Sequence, residues 1–156
     1  MIFVGYQGIG KSTLSKKDVR YIDLESSNFW YDHGDGILKR DKLWYLPYCN
    51  VAEDLSRQGY RVFTSSHEVV RNRLKQGNEY VCGIYPQEHL KDEWIEKLHS
   101  RYLLSESDKD YKAWKNAEDR FLENIQEIRD SFMFHIELEH MDYNLGDLID
   151  EAINHY

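Results

Sequence analysis

The chain has 156 residues, 41% of them apolar and 14% aromatic, enough for one α/β domain with its own core. A formal net charge of −8 argues against a broad basic surface that tracks a phosphate backbone, though not against a local basic groove. No stretch approaches the apolar length that crosses a membrane, and Cys49 and Cys82 show neither metal spacing nor a disulfide framework, so the expectation is a cytoplasmic protein with two reduced, partly buried thiols.

The apolar run Ile2-Phe3-Val4 leads directly into Gly5-Tyr6-Gln7-Gly8-Ile9-Gly10-Lys11-Ser12, a complete G-x-x-x-x-G-K-[ST] pattern between a predicted strand and a predicted helix. This start leaves no room for a signal peptide. A nucleoside triphosphate needs several donors converging within a small radius, and glycines that reach φ > 0 turn backbone N–H groups inward. Gly5, Gly8, Ile9, Gly10, Lys11, Ser12 and Thr13 are therefore the candidate nucleotide-binding set. Lys11 is expected at the β- and γ-phosphates, the Ser12 hydroxyl on Mg²⁺ and Thr13 near the α-phosphate, with the positive end of the helix dipole facing them.

A short helix is expected from Lys11 to Lys17, followed by a second strand, Arg20 to Glu25, in which Asp23 and Glu25 share one face. Residues 27 to 46 are the longest irregular stretch and carry Phe29, Trp30 and Tyr31, turn signals around His33, and the cations Lys39, Arg40 and Lys42. A helix runs from near Pro47 to about Gln58, and Gly59 releases the chain into strand three, Tyr60 to Thr64. Ser66 is expected to cap a helix that runs to Gln76. Strand four, Tyr80 to Tyr85, is expected to stop at Pro86. Two amphipathic helices follow, one on Leu90, Trp94, Leu98 and Tyr102, the other on Trp114, Ala117, Phe121, Ile125 and Ile128. Strand five alternates Phe132, Phe134, Ile136 and Leu138, and a last helix covers Leu145 to Ile153.

Five strands alternating with helices indicate a single domain over residues 1–156 with a parallel sheet in a three-layer α/β/α fold. The layout and the phosphate loop resemble the P-loop nucleoside and nucleotide kinases. That resemblance implies strand order 2-3-1-4-5, ATP and Mg²⁺ as donor and cofactor, and a small helical lid, placed here at about residues 86–107. The guanine-reading and γ-phosphate-sensing patterns of Ras-type GTPases, Asn-Lys-x-Asp and Asp-x-x-Gly, are absent from the sequence, and strand three ends in Thr64-Ser65-Ser66 where motor-type and AAA-type ATPases carry an acid.

In small-molecule kinases the important acid often stands at the end of strand two, where Asp23-Leu24-Glu25-Ser26-Ser27 lies. Asp23 is the expected general base and a metal-side carboxylate, with Glu25 beside the acceptor. By the same resemblance Arg101, next to Tyr102, corresponds to the lid arginine, and Phe29, Ser65, His67 and Arg71 lie where the acceptor binds; His140 to Tyr143 occupies the adenine-side position. The combination of Asp-Leu-Glu-Ser-Ser-x-Phe, Ser-Ser-His, and Tyr-Pro before a Trp-containing helix ending in Arg-Tyr is similar to small bacteriophage kinases, including those like hydroxymethyluracil DNA kinases. This implies a phosphotransferase acting on a nucleoside, nucleotide or similar small acceptor in the cytoplasm, that of the host if the chain is phage-encoded. A modified base or an end within DNA is the alternative acceptor, and a nucleotide-binding regulatory protein without transfer is the third reading. Oligomeric state is not legible in the sequence.

Overall fold

A computed structural model describes residues 1–32 and 34–155, without the side chains of Tyr31, Asp32 and Leu38. Five parallel strands form the central sheet: β1 (Ile2–Gly5), β2 (Tyr21–Asp23), β5 (Arg61–Thr64), β6 (Val81–Pro86) and β7 (Phe134–Leu138). Their order is β2-β5-β1-β6-β7, which is 2-3-1-4-5 when sheet strands alone are counted. Strands β3 (Tyr31–Asp32) and β4 (Leu38–Lys39) pair separately as a small antiparallel hairpin.

The helices are α1 (Lys11–Lys17), α2 (Tyr45–Arg57), α3 (Glu68–Lys75), α4 (Lys91–Ser105), α5 (Asp108–Ser131) and α6 (Leu145–His155). They cover both faces of the sheet, and the period-two alternation of β1 shows how. Ile2 and Val4 pack with Tyr48 and Ala52 of α2 and Val70 and Leu74 of α3. Phe3, between them, joins Phe63 and the α6 residues Leu145 and Ile149. Strands buried on both faces read as continuous apolar runs, as β1 does at zero exposure for Ile2, Phe3 and Val4. Gly83 of β6 has a packing reason: a Cβ there would lie 2.8 Å from Ile128 of α5, so a side chain would push that helix off the sheet.

Several boundaries differ from expectation. β2 is shorter, because after Leu24 N–H bonds Phe63 O at 3.0 Å the chain turns into a single 3-10 turn, Ser26–Phe29. Glu25 is thus the cap of that turn rather than a strand residue sharing a pleat face with Asp23; its carboxylate accepts from Ser27 N–H. Ser66 does not cap α3; His67 holds the cap position, and no side chain caps the helix. Residues 27 to 46 are partly ordered by the 3-10 turn and the hairpin, while the turn signal at His33 and the ring of Tyr31 lie outside the described residues. Pro86 is the last residue of β6, paired with Leu138, rather than the residue that stops it.

Candidate functional site

The glycine-rich segment of residues 5–12 leaves β1 at the carboxyl edge of the sheet, where Tyr6 N–H still bonds Ile84 O at 2.8 Å. The chain then turns through two residues with positive φ, Gly8 at 84° and Gly10 at 101°, and enters α1 at Lys11. Gly10 has open space around it, so its backbone angle is what favours glycine there. Gly8 has a second reason, since a Cβ would meet Leu98 Cδ2 at 2.9 Å. Ser12 and Thr13 stand exposed on the first turn of α1.

Lys11 folds back to the loop and donates its ammonium to Gly5 O at 3.2 Å. Burial lowers its pKa; Asp23 and Glu25 act in the opposite direction, and Lys109 and Arg101 add to the lowering. Residues from β2, α4 and α5 therefore share one electrostatic site with the loop lysine. At Asp23 burial is the largest influence and raises the pKa; Lys11 partly offsets it, and the neighbouring Glu25 charge adds to it. At Glu25 burial pushes upward, yet the Lys109 ammonium and the Ser27 N–H outweigh it and leave the carboxyl below its ordinary value. The two acids are thus held in opposite directions, a pattern that separates acid and base roles in many sites.

Tyr48 of α2 holds the ends of β2 and β5 together. Its hydroxyl donates to Leu24 O and accepts from Ser65 N–H, both at 2.8 Å, one step beyond the last ladder bond between the two strands. That contact sets the spacing between the Asp23–Glu25 arm and the Ser65–His67 arm.

The α4–α5 hairpin covers the loop. Trp94 Nε1 donates to Gln7 O at 3.0 Å, while Gln7 Nε2 donates to Ala113 O at 2.9 Å and Asn116 Oδ1 at 3.2 Å. From the far side of the sheet Tyr143 OH donates to Ile9 O at 2.8 Å and its ring stacks on Trp94. Lys97 lies 4.4 Å above the Trp94 ring. Arg101 pairs with the buried Asp110 at 3.0 Å, and Lys109 bonds Glu25 at 2.8 Å, joining α5 to the end of β2. Arg101 and Lys109 thus act on Lys11, and Lys97 lies within the field of Arg101.

No protein-family model matches this chain, and no curated protein matches it.

On the side away from α4, Phe29 packs edge-on against Tyr48 at 5.3 Å, Trp44 lies against Tyr48 at 5.3 Å, and His67 packs edge-on against Trp44 at 5.6 Å. Trp44 and Tyr48 are buried, so these rings close the core beneath the 27–46 segment. Partial burial lowers the His67 pKa, and Arg40, Arg71 and Lys11 lower it further. Arg71 itself is spent on structure: its guanidinium bonds Ser131 and Ser66 O and pairs with Glu127 at 3.3 Å, tying α3 to α5. Arg73 pairs with Glu53 at 2.9 Å.

The structure thus brings together Gly5, Gly8, Gly10, Lys11, Asp23, Glu25 and Arg101, and sets Arg71 apart. Gln7, Tyr48, Lys109 and Asp110 are additions that sequence reading did not single out. Gln7, Tyr48 and Lys109 act through partners distant in sequence, as Lys109 does with Glu25, and Asp110 meets Arg101 across the turn between α4 and α5, so local patterns carry no sign of them.

Proposed function

We propose that the chain is a P-loop kinase that moves the γ-phosphoryl group of ATP, with Mg²⁺, to a nucleoside, nucleotide or similar small acceptor. The observation that carries this reading is the loop of residues 5–12, with its two positive-φ glycines and its half-buried lysine, set against an acid of raised pKa and a helical hairpin bearing cations. A binding loop alone would not require the acid or the cations; phosphoryl transfer uses both, because it depends on positioning and on stabilising charge spread over the moving phosphoryl oxygens.

The residues fit the donor. The loop N–H groups and Lys11 would hold the β- and γ-phosphates, and Ser12 with Asp23 would hold the cation, which supplies charge neutralisation at the phosphate oxygens. In this reading Asp23 accepts the acceptor's hydroxyl proton, Arg101 and Lys97 face the phosphates, and α4 with α5 serves as the lid. Gln7 and Trp94 keep that cover seated on the loop and exclude water around the phosphates.

The test is ADP release from Mg²⁺-ATP against a panel of nucleosides, monophosphates and DNA oligonucleotides with and without hydroxymethyluracil, with Lys11→Ala as the blank. Stimulation by one acceptor, absent in the blank, is the expected result. ATP binding without stimulation by any acceptor would favour a regulatory nucleotide-binding protein, and no difference from the blank in ATP binding would overturn the loop assignment.

A further inference from the structure

Resting on the kinase reading, we infer that the acceptor carries a phosphate ester, held by Arg40 and His67 where both pack against the Trp44 ring. Around the site Lys39 pairs with Asp35, Arg71 with Glu127, Arg73 with Glu53, Arg101 with Asp110 and Lys109 with Glu25. Arg40 has no carboxylate within ion-pair distance among the described residues; it is exposed, and its guanidinium lies 5.3 Å from the Trp44 ring centroid. A guanidinium resting on an indole keeps its N–H edges available in a planar fork, the geometry that matches a phosphate.

The neutral groups nearby point the same way. Trp30 Nε1, Thr64 Oγ1 and Ser65 Oγ are buried with no hydrogen-bond partner among the described residues, and Thr64 is only 1% exposed. The indole N–H is a donor only and both hydroxyls can donate, so these unpaired groups suit a ligand rich in oxygen acceptors. Ser65 is tied to the Trp44 ring through Tyr48, whose OH accepts from Ser65 N–H and whose ring contacts Trp44; Thr64, the last residue of β5, precedes Ser65, and Trp30 follows Phe29, whose ring packs on Tyr48. His67 packs edge-on against Trp44, and burial first, then the charges of Arg40, Arg71 and Lys11, favour its neutral ring, which retains one N–H to donate. Arg71 is the cation that sequence position recommends for this role, yet its guanidinium is engaged by Ser131, Ser66 and Glu127.

The experiment is equilibrium binding, followed by tryptophan fluorescence, of deoxynucleosides against their 5′-monophosphates and of thymidine oligomers with and without a 5′-phosphate. It uses the full chain, with and without Mg²⁺-ADP. One phosphorylated ligand should bind about tenfold more tightly than its unphosphorylated counterpart, the size of one charge-assisted contact. Arg40→Ala should abolish that preference and Arg40→Lys should keep part of it, with ATP affinity unchanged in both as the control for folding. A monophosphate preference identifies a free nucleotide as the source, and a preference confined to oligomers identifies a strand end. Equal affinity for both forms, no binding of any of these ligands, or a preference that survives in Arg40→Ala would overturn the inference. Failure of the kinase reading is separate, since it shows as wild-type protein that does not bind Mg²⁺-ATP or releases no ADP with any acceptor, whatever its phosphate preference.

Discussion

Asp23 is where stability and the proposed chemistry oppose each other. Its folded pKa lies above the ordinary aspartate value because burial outweighs the attraction of Lys11. A carboxyl whose folded pKa is raised stabilises the fold through its protonated form; that contribution is complete below the unfolded pKa and is lost as pH rises through the folded one. At neutral pH the ionised carboxylate is therefore a net cost to the fold. Asp23→Asn should raise the melting temperature at neutral pH, with the gain fading as pH falls into the carboxylate range. The same variant should lower transfer by about 10²- to 10⁴-fold while leaving ATP affinity in place, as expected for loss of a general base. Thermal melts across pH alongside ADP release check both; unchanged turnover would remove the base role, and a lower melting temperature would contradict the direction of the shift. The cysteines carry no comparable tension, since both thiols are buried and pushed up to about 12 by that burial, which leaves them as small core residues.

At the scale of elements, the loop and the α4–α5 hairpin behave as one packed unit, and Gly8 is where they meet. Alanine at Gly8 would suffer twice, from a φ of +84° and from a Cβ 2.9 Å from the buried Leu98, whereas alanine at Gly10 would suffer only from its φ of +101°. Gly8→Ala should therefore destabilise the protein by about 1 kcal/mol more than Gly10→Ala, the low end of overpacking costs. Urea unfolding of both variants measures the difference; equal costs would mean that α4 yields to the loop. The Lys109–Glu25 pair joins the same elements but is 72% and 43% exposed at its side chains, so it contributes at most about 1 kcal/mol. These couplings also mark the limit of what could be read in advance. β1, the loop and α1 were legible because the motif is local, and the parallel sheet followed from strands alternating with helices, while the observed strand order is the one implied by the resemblance to P-loop kinases and not by the spacing of the strands. The β3–β4 hairpin was not legible, because two-residue strands leave no periodicity to detect. Nor were Gln7, Tyr48 and Asp110, which are ordinary polar residues until the fold sets Ala113, Leu24 and Arg101 beside them.

Across the whole molecule, charge is sorted by region. The groove between β7 and α6, about 550 Å³, is lined by Glu137, Glu139, Asp142, Asp147 and Glu151. The cations Lys11, Lys97, Arg101 and Lys109 gather instead around the loop, with Arg40 over Trp44 and Lys42 two residues beyond Arg40. Among the described residues no helix is long and apolar enough to cross a membrane. A net charge of −8 repels a polyanion at long range, and attraction is left to a few local contacts. If a single strand is the acceptor, Arg40, Lys42 and one lid cation are the groups placed to meet its phosphates. Three neutralised phosphates correspond to a slope of log K against log salt of about −2 for single-stranded DNA. Titration of a thymidine oligomer at several salt concentrations should give that slope or a shallower one, and Arg40→Ala should reduce it by about 0.7, the share of one phosphate contact. A slope steeper than about −4 would require a basic track of six or more phosphates. Such a track would run against the acidic groove and the net charge together, so that result would overturn the localised footprint and with it the expectation that any polynucleotide is engaged only at one end or one base.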